Sequence, residues 1–286
     1  MIKNIIPVIS ERLEEEVVST KPLSGGSISS AYLINTTKSQ YFIKVNCADD
    51  AIKMFHEEQK GLNAIESTNT IAVPHVQFVG THNKKAFIVM DYVESIRPTP
   101  SDYSRLGAEL AKMHEVYSNE FGFFSDNFIG SLPQSNTLHN TWTEFYWSER
   151  ILPQIQLALN AGLLTNEEVP SKEQFTELFD SFVKDVKPSL LHGDLWGGNY
   201  LISNEATPYL IDPAVYYGHS MVDIAMSQLF GSFGSEFYNS YHKTIPKSDH
   251  YDEQIDLYQL YFLLVHLNLF GKGYYSSVSN ILKRYF

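Results

Sequence analysis

Short runs rich in β-branched and aromatic residues occupy roughly the first ninety positions, and helix-period patterns occupy most of the remainder. Strand character is expected over 31–35, 41–46, 76–79 and 86–93, each run bounded by turn residues. One helix interrupts them over 51–65, with Phe55, Leu62 and Ile65 on one face. Past Pro98 and Pro100, Leu106, Leu110, Met113 and Tyr117 recur at helical intervals, and further helices are expected over 103–117, 141–161, 172–186, 221–231 and 252–270. The pattern is that of an α+β chain in two lobes: residues 1–93 as a small sheet with one packed helix, and residues 94–286 as a mainly helical unit.

Composition narrows the function classes. The chain of 286 residues carries 21 Lys and Arg against 33 Asp and Glu, a formal net charge of −12, with no run of basic residues. Nothing in it would neutralise a phosphate backbone, so nucleic acid is not expected as a partner. A single cysteine, Cys47, leaves no intramolecular disulfide and no zinc site built from several thiolates. The start, MIKNIIPVISERLEEE, lacks a secretory apolar region, and residues 257–270 are shorter than a bilayer span and carry Gln259, His266 and Asn268. We expect a cytoplasmic protein without a membrane partner, and a buried core helix at 257–270; oligomeric state is not legible.

Within the helical half, LLHGDLWGGNYLI and PYLIDP flank the turn residues 203–207 and form a candidate β-hairpin. With the turn centred between Glu205 and Ala206, Tyr200 stands opposite Ile211 and Asn199 opposite Asp212. Asp194, Asn199 and Asp212 then make a hard, oxygen-rich set suited to Mg²⁺ carrying phosphate oxygens. The spacing of His192-Gly193-Asp194 from Asn199 parallels the catalytic loop of kinases, in which the Asp takes a hydroxyl proton and the Asn holds metal. Ordinary strand-end turns also use Asp and Asn, but Gly193, Gly197 and Gly198 allow a tighter loop than a solvated turn needs.

Phosphate chemistry calls for a held cation, and the N-terminal half offers one. Strand alternation puts Lys44 on the same face as Phe42, a costly place for an ammonium without a partner. Glu58 lies on the apolar stripe of the 51–65 helix, whereas Glu57 lies off it, so a Lys44–Glu58 ion pair is expected. The segment Leu23-Ser24-Gly25-Gly26-Ser27-Ile28-Ser29-Ser30, ahead of the strand at Ala31, matches neither Walker A nor G-x-G-x-x-G and by itself reads as a plain turn, but its position before Lys44 makes it a candidate phosphate-covering turn. Backbone groups of Met90, Asp91 and Tyr92, where the last strand meets the interlobe crossing, are candidates for reading adenine. No H-E-x-x-H or G-x-S-x-G motif occurs, and of the ten histidines only His192 and His219 are set apart from surface or packing roles.

Taken in order, SGGSISSAY, FIKVN, MFHEEQKGL, LLHGDLWGGNYL, IDPAVYYGH and LYQLYFLLVHLNLF resemble the fructosamine kinase (ketosamine-3-kinase) family over nearly the whole chain, the Trp of HGDLWGGN being its distinguishing mark within the wider aminoglycoside and choline kinase group. The resemblance implies a two-lobed protein-kinase-like fold and ATP-dependent phosphorylation of the carbon-3 hydroxyl of ketosamines, free or protein-linked, giving a product that releases its amine. It implies Lys44 and Glu58 for the nucleotide phosphates, Asp194 as base, and Asn199 with Asp212 for magnesium. Trp196, beside the base, is a candidate wall for the sugar or its amine substituent, and His219 a candidate substrate contact. Ser27 stands where several relatives carry cysteine, and Met221 where the family pattern has Glu; Gly193 and Asp212-Pro213-Ala214 replace the Arg of H-R-D and the D-F-G of protein kinases. A kinase of another alcohol, such as an aminoglycoside or amino alcohol, or a non-catalytic nucleotide-binding protein are the rival readings.

Overall fold

The computed structural model describes residues 2–23, 29–231 and 233–286. The chain divides into two compact units: one takes in the described residues up to Arg97 together with Leu201–Asp212, the other Pro98–Tyr200 and Pro213–Phe286.

The first unit opens with helix α1 (Ile6–Leu13), in which Pro7 sits in the first turn, where a missing N–H costs nothing. An antiparallel sheet follows, built from β1 (Val17–Leu23), β2 (Ser30–Thr36), β3 (Gln40–Asn46), β4 (Val76–His82) and β5 (Lys85–Asp91) in the order β1-β2-β3-β5-β4. Helix α2 (Ala51–Ser67) separates β3 from β4 and packs on β4 and β5. Along β3 the buried residues Tyr41, Ile43 and Val45 alternate with the half-buried Phe42, Lys44 and Asn46. The first set joins Ile2, Ile5 and Ile9 in a core with Ile34, Phe87 and Val89, which leaves Lys44 on the opposite face.

The second unit is mainly helical. Helix α3 (Pro100–His114) begins at a capping box in which Thr99 and Asp102 satisfy each other's backbone N–H. A ribbon of β6 (Asn127–Ile129) and β7 (Leu132–Gln134) leads to a long helix made of α4 (Trp142–Phe145), a π-helical turn over Tyr146–Ile151, and α5 (Leu152–Asn160). Helix α6 (Lys172–Phe182) precedes β8 (Ser189–Leu191), and the hairpin β9 (Tyr200–Ile202) and β10 (Pro208–Leu210) precedes β11 (Tyr216–Gly218), which returns to pair with β8. Four helices complete the chain: α7 (Met221–Leu229), α8 (Ser235–Tyr241), α9 (Tyr251–Phe270) and α10 (Tyr275–Tyr285). Helix α9 is buried on nearly every side from Gln254 to Leu267, the core helix its composition foretold. No helix among the described residues is long and apolar enough to cross a membrane.

Hairpin β9–β10 departs from expectation in register. The Ser203 N–H donates to Thr207 O at 2.9 Å, the Ala206 N–H to Ser203 O at 2.9 Å, and Ala206 adopts φ 58°. Counted outward from that closing pair, Ile202 lies opposite Pro208 and Leu201 opposite Tyr209, one residue out of step with a turn centred between Glu205 and Ala206. The cause is a bulge at a left-handed alanine, with no glycine to announce it; the register that set Asn199 opposite Asp212 is not the one formed. Residues 201–212 of the hairpin bond to the rest of the first unit, where Leu210 N–H donates to Ala72 O and Ile96 N–H to Ile202 O, each at 2.9 Å.

Helices α3 and α8 approach closely because Gly107 has no side chain: a Cβ there would lie 2.2 Å from the carbonyl oxygen of Phe237. Gly107→Ala adds about 1 kcal/mol of helix propensity but drives a methyl into backbone, an overpacking cost of about 1–3 kcal/mol or more. We expect a net loss of stability, measured as a lower urea midpoint with unchanged slope; a midpoint at or above that of the parent protein would refute the close contact.

Candidate active site

Lys44 lies on the sheet face opposite the α1 core, and α2 brings Glu58 to it. The Lys44 Nζ is 2.8 Å from Glu58 Oε1 and also pairs with Asp212 Oδ1. Both Lys44 and Glu58 are largely buried, while Asp212 is 41 % exposed. Burial works against the lysine's charge, but the carboxylates of Asp212 and Glu58 outweigh it and hold its pKa above the ordinary lysine value. Burial pushes the Glu58 carboxyl up, against the pull of Lys44 and with the help of the Asp212 charge. Asp212 itself adopts φ 56°, a left-handed conformation that costs a non-glycine residue about 1–3 kcal/mol and recurs at functional sites. The sequence-predicted Lys44–Glu58 pair is therefore formed, and Asp212 joins it.

The other set is built on a loop. Strand β8 delivers the chain into His192-Gly193-Asp194, where Gly193 has φ 83° and a Cβ would meet the Ala214 carbonyl oxygen at 2.1 Å. That close approach accompanies a hydrogen bond from Ala214 N–H to His192 O at 2.8 Å. Asn199 turns its amide NH₂ back onto the same loop, donating to Asp194 O at 2.8 Å and to Asp194 Oδ2 at 3.1 Å. Asn199 also carries an amide oxygen, and Asp212, in the first unit, a carboxylate whose Oδ1 pairs with Lys44. Amide and carboxylate oxygens of this kind are the donors magnesium prefers, so the residues fit the metal. Trp196 lies with its ring over Gly198, 42 % exposed, and closes the turn through Trp196 N–H to Asp194 O and Asn199 N–H to Trp196 O. It does not plug the helical core.

Two supports of this loop were missed from the sequence. Asp223, fully buried on α7, accepts the His192 N–H at 2.7 Å and the Gly193 N–H at 2.8 Å, and His114 Nε2 lies 3.0 Å from the same carboxylate. The signal was an aspartate inside the apolar run MVDIAM, which a core helix tolerates only with partners. On the other side, Asn127 donates to Val215 O at 2.8 Å, and the π-helical turn aims the fully buried Arg150 at Ser135 O and Asn136 Oδ1, each at 2.6 Å, with its guanidinium 3.9 Å from the centre of the Tyr216 ring.

Other expectations fare unevenly. Gly25, Gly26 and Ser27 lie outside the described residues. Met90 is buried, and the Asp91 and Tyr92 N–H groups are taken by His75 O at 2.9 Å and Gln40 O at 3.3 Å, so neither is a spare donor for adenine. Met221 is buried in the first turn of α7, where the departure from Glu is absorbed by the core. His219 is not beside Asp194: antiparallel pairing of Tyr216 with Leu191 and of Gly218 with Ser189 sends the two residues to opposite ends of the ribbon. There its Nδ1 accepts from the Tyr258 hydroxyl at 2.6 Å, which itself accepts from Trp142 Nε1 at 2.9 Å.

With the fold and the two residue sets described, comparison with known proteins places the chain. An aminoglycoside phosphotransferase, in a thermostable mutant form without ligand, superposes with a TM-score of 0.64 over 98 % of each chain at 16 % identity, so the architecture is the two-lobed protein-kinase-like fold. Beyond the fold, the fructosamine kinase profile matches residues 1–286, and the chain belongs to the fructosamine kinase family. A protein-ribulosamine 3-kinase of Oryza sativa, chloroplastic in that plant, is 37 % identical over 284 residues, covering 97 % of this chain and 82 % of its own. The crystal structure of a fructosamine-3-kinase assigned in Thermobifida fusca superposes with a TM-score of 0.86 at 30 % identity, over 98 % of this chain and 97 % of that one.

His219 yields a pH prediction. Burial, and secondarily the neighbouring His114, lower its pKa from 6.5 to about 3. As pH falls below about 6.5 the unfolded chain takes up this proton first, so stability is lost from there downward and the loss from this group ends only near pH 3. Between pH 7 and pH 5 the group accounts for about 2 kcal/mol. In His219→Leu the stability difference between those two pH values should shrink by about that amount; an unchanged difference would show that His219 is not held neutral.

Proposed function

We propose that this chain transfers the γ-phosphoryl group of ATP to the 3-hydroxyl of ketosamines, the rearranged adducts of sugars with amines, as a deglycation activity. The observation that carries the reading is the pairing of Lys44 with Glu58 and Asp212 in one unit, joined with an Asp194 whose loop is clamped by Asn199 and Asp223 in the other. Family membership supplies the substrate class.

Both sets act on one nucleotide in this proposal, residues 1–93 with the 201–212 hairpin holding the phosphates and the rest of the chain the base and acceptor. Lys44, kept charged by its carboxylates, neutralises phosphate oxygens, and Glu58 fixes its direction. Asp194 orients the acceptor hydroxyl and takes its proton as that oxygen bonds to the γ-phosphorus and the bond to ADP breaks. Magnesium, when bound, supplies charge neutralisation on the phosphates, and Asn199 and Asp212 are the residues to hold it. Trp196 offers an exposed apolar wall next to the base for the sugar or its amine substituent. The 3-phosphate product then sheds its amine, which returns free or protein-bound amino groups. We place the activity in the cytoplasm.

ATP consumption measured against ribulosamine, fructosamine, erythrulosamine and aminoglycoside acceptors tests the assignment, with turnover expected on the ketosamines; turnover on aminoglycosides alone would replace it by the neighbouring phosphotransferase reading. Asp194→Asn should lower kcat by about 10²–10⁴ with nucleotide affinity retained; near-normal turnover would remove Asp194 as base. Lys44→Met should cut kcat/KM for ATP by about 10²–10³, and a change smaller than threefold would exclude Lys44 from the phosphate site.

A further inference from the structure

His266, near the end of α9, keeps a ring nitrogen that its packing does not use. Its Nδ1 lies 2.7 Å from Phe262 O, one turn back along the helix. A carbonyl only accepts, so Nδ1 carries the ring proton. Burial lowers the pKa from the ordinary histidine value, a shift that the bond to Phe262 O offsets only in part, so the ring is neutral and Nε2 holds a bare lone pair. Nε2 has no hydrogen-bond partner among the described residues. Three aromatic rings stand around the imidazole: Phe230 at 4.7 Å between ring centres, Tyr274 at 5.1 Å and Phe270 at 5.5 Å. Gly271, at φ 82°, makes the turn that brings Tyr274 back beside α9. Phe230 is 39 % and Phe270 59 % exposed, so the cluster opens to solvent.

Two routes connect this cluster with the Asp194 loop. Phe230 follows Asp223 by two turns of helix, on the face of α7 that holds the His192 and Gly193 amides and about 10 Å along the axis. Farther on, the Phe233 ring lies 5.0 Å from the ring of Tyr200, the neighbour in sequence of the Asn199 that bonds the Asp194 carboxylate.

We propose that Phe230, His266, Phe270 and Tyr274 form the subsite for the protonated amine of the ketosamine, whose N–H donates to His266 Nε2 while its charge rests on the aromatic faces. The proposal deepens the kinase reading and rests on it for the identity of the ligand. A ketosamine differs from its parent sugar by the amine on carbon 1, close to the hydroxyl on carbon 3, and that amine is cationic when protonated. Aromatic faces hold such a cation without a carboxylate, and a neutral imidazole acceptor fixes the direction of its N–H. A plain sugar can offer a hydroxyl to Nε2 but brings no charge to the rings, so the subsite separates adducts from free sugars. Exposed rings grouped around a bare acceptor, rather than scattered singly, mark a ligand contact.

Two ligands test this: 1-butylamino-1-deoxyfructose, and 1-O-butylfructose, in which an ether oxygen replaces the N–H and its charge. Binding is measured by calorimetry on the full chain carrying Asp194→Asn, with MgATP present so that nothing turns over. The amine ligand should bind at least about tenfold more tightly than the ether. Adding His266→Leu should weaken the amine ligand by about 10–100-fold and the ether by no more than about threefold. His266→Gln, whose Oε1 accepts, should stay within about fivefold of the unsubstituted subsite. Phe270→Ala should weaken the amine ligand by about 3–10-fold, and as a change at an exposed ring it carries the test should His266→Leu fail to fold. The His266 ring signals in NMR spectra, assigned by their loss in the His266→Gln protein, should move on addition of the amine ligand. Equal affinity for the two ligands, equal weakening of both by the substitutions, or unmoved ring signals would each overturn the subsite. Amine binding that moves the His266 signals, in a protein whose Asp194 form turns over no ketosamine, would instead overturn the kinase reading and leave the subsite standing.

Discussion

Two peptide N–H groups ending on one buried carboxylate fix the backbone of the loop that carries Asp194. The His192 and Gly193 amides have no strand partner once the chain leaves β8, and a buried amide without an acceptor costs about 1–3 kcal/mol. Asp223 accepts both, and its own cost of burial is offset by those bonds and by His114. The loop is consequently not a loose connection around Asp194. It is a segment of backbone whose hydrogen bonds are met in one conformation, and Gly193 is the residue that lets this conformation approach Ala214. Asn199 closes the loop from within by taking both the carbonyl and the carboxylate of Asp194.

Lys44 solves a different problem. An ammonium on a sheet face and a carboxylate on a helix both lose hydration when α2 packs, and neither would tolerate that alone. Asp212 pairs with the same ammonium, so two carboxylates already meet the one cation. Nucleotide phosphates alone would add to that imbalance. In the proposed reaction a divalent metal arriving with them would offset it, and Asp212 would then serve both the lysine pair and the metal.

The parts of this arrangement that could be read from the sequence are those in which a side chain violates its surroundings. Lys44 on a strand face with Phe42, and Glu58 on an apolar helical stripe, were legible because a charge out of place needs a partner. The helix at 257–270 and the strands of the small sheet were legible from periodicity. Other features leave no such trace. Helix α1 was unread because Pro7 looks like a breaker until it is placed in a first turn; β1 was unread because an edge strand ending at Pro22 and Leu23, mostly exposed, lacks a clean alternation. The hairpin slipped by one residue on the left-handed Ala206. Asp223 and His114 were readable in principle as polar residues in apolar helices, but their partners are backbone amides and each other, and no motif names such a contact. The attachment of the hairpin to the first unit depends on bonds to Ala72 and Ile96, remote in sequence and carried by backbone, which side-chain patterns do not record.

The two supports also differ in what can change without loss. An ion pair is directional only loosely, and its worth depends on charge count, so the phosphate side tolerates variation around Lys44 as long as the carboxylates remain. The loop that carries Asp194 depends instead on hydrogen bonds to Asp223, which need their angles kept. Acceptor selection is not constrained by either. The Trp196 ring is 42 % exposed and rests on Gly198, while the residue's bonds to Asp194 and Asn199 are made by its backbone alone. In the proposed reaction a ring so placed would be exchangeable for a different sugar or amine without loss of the hydrogen bonds that hold the Asp194 loop.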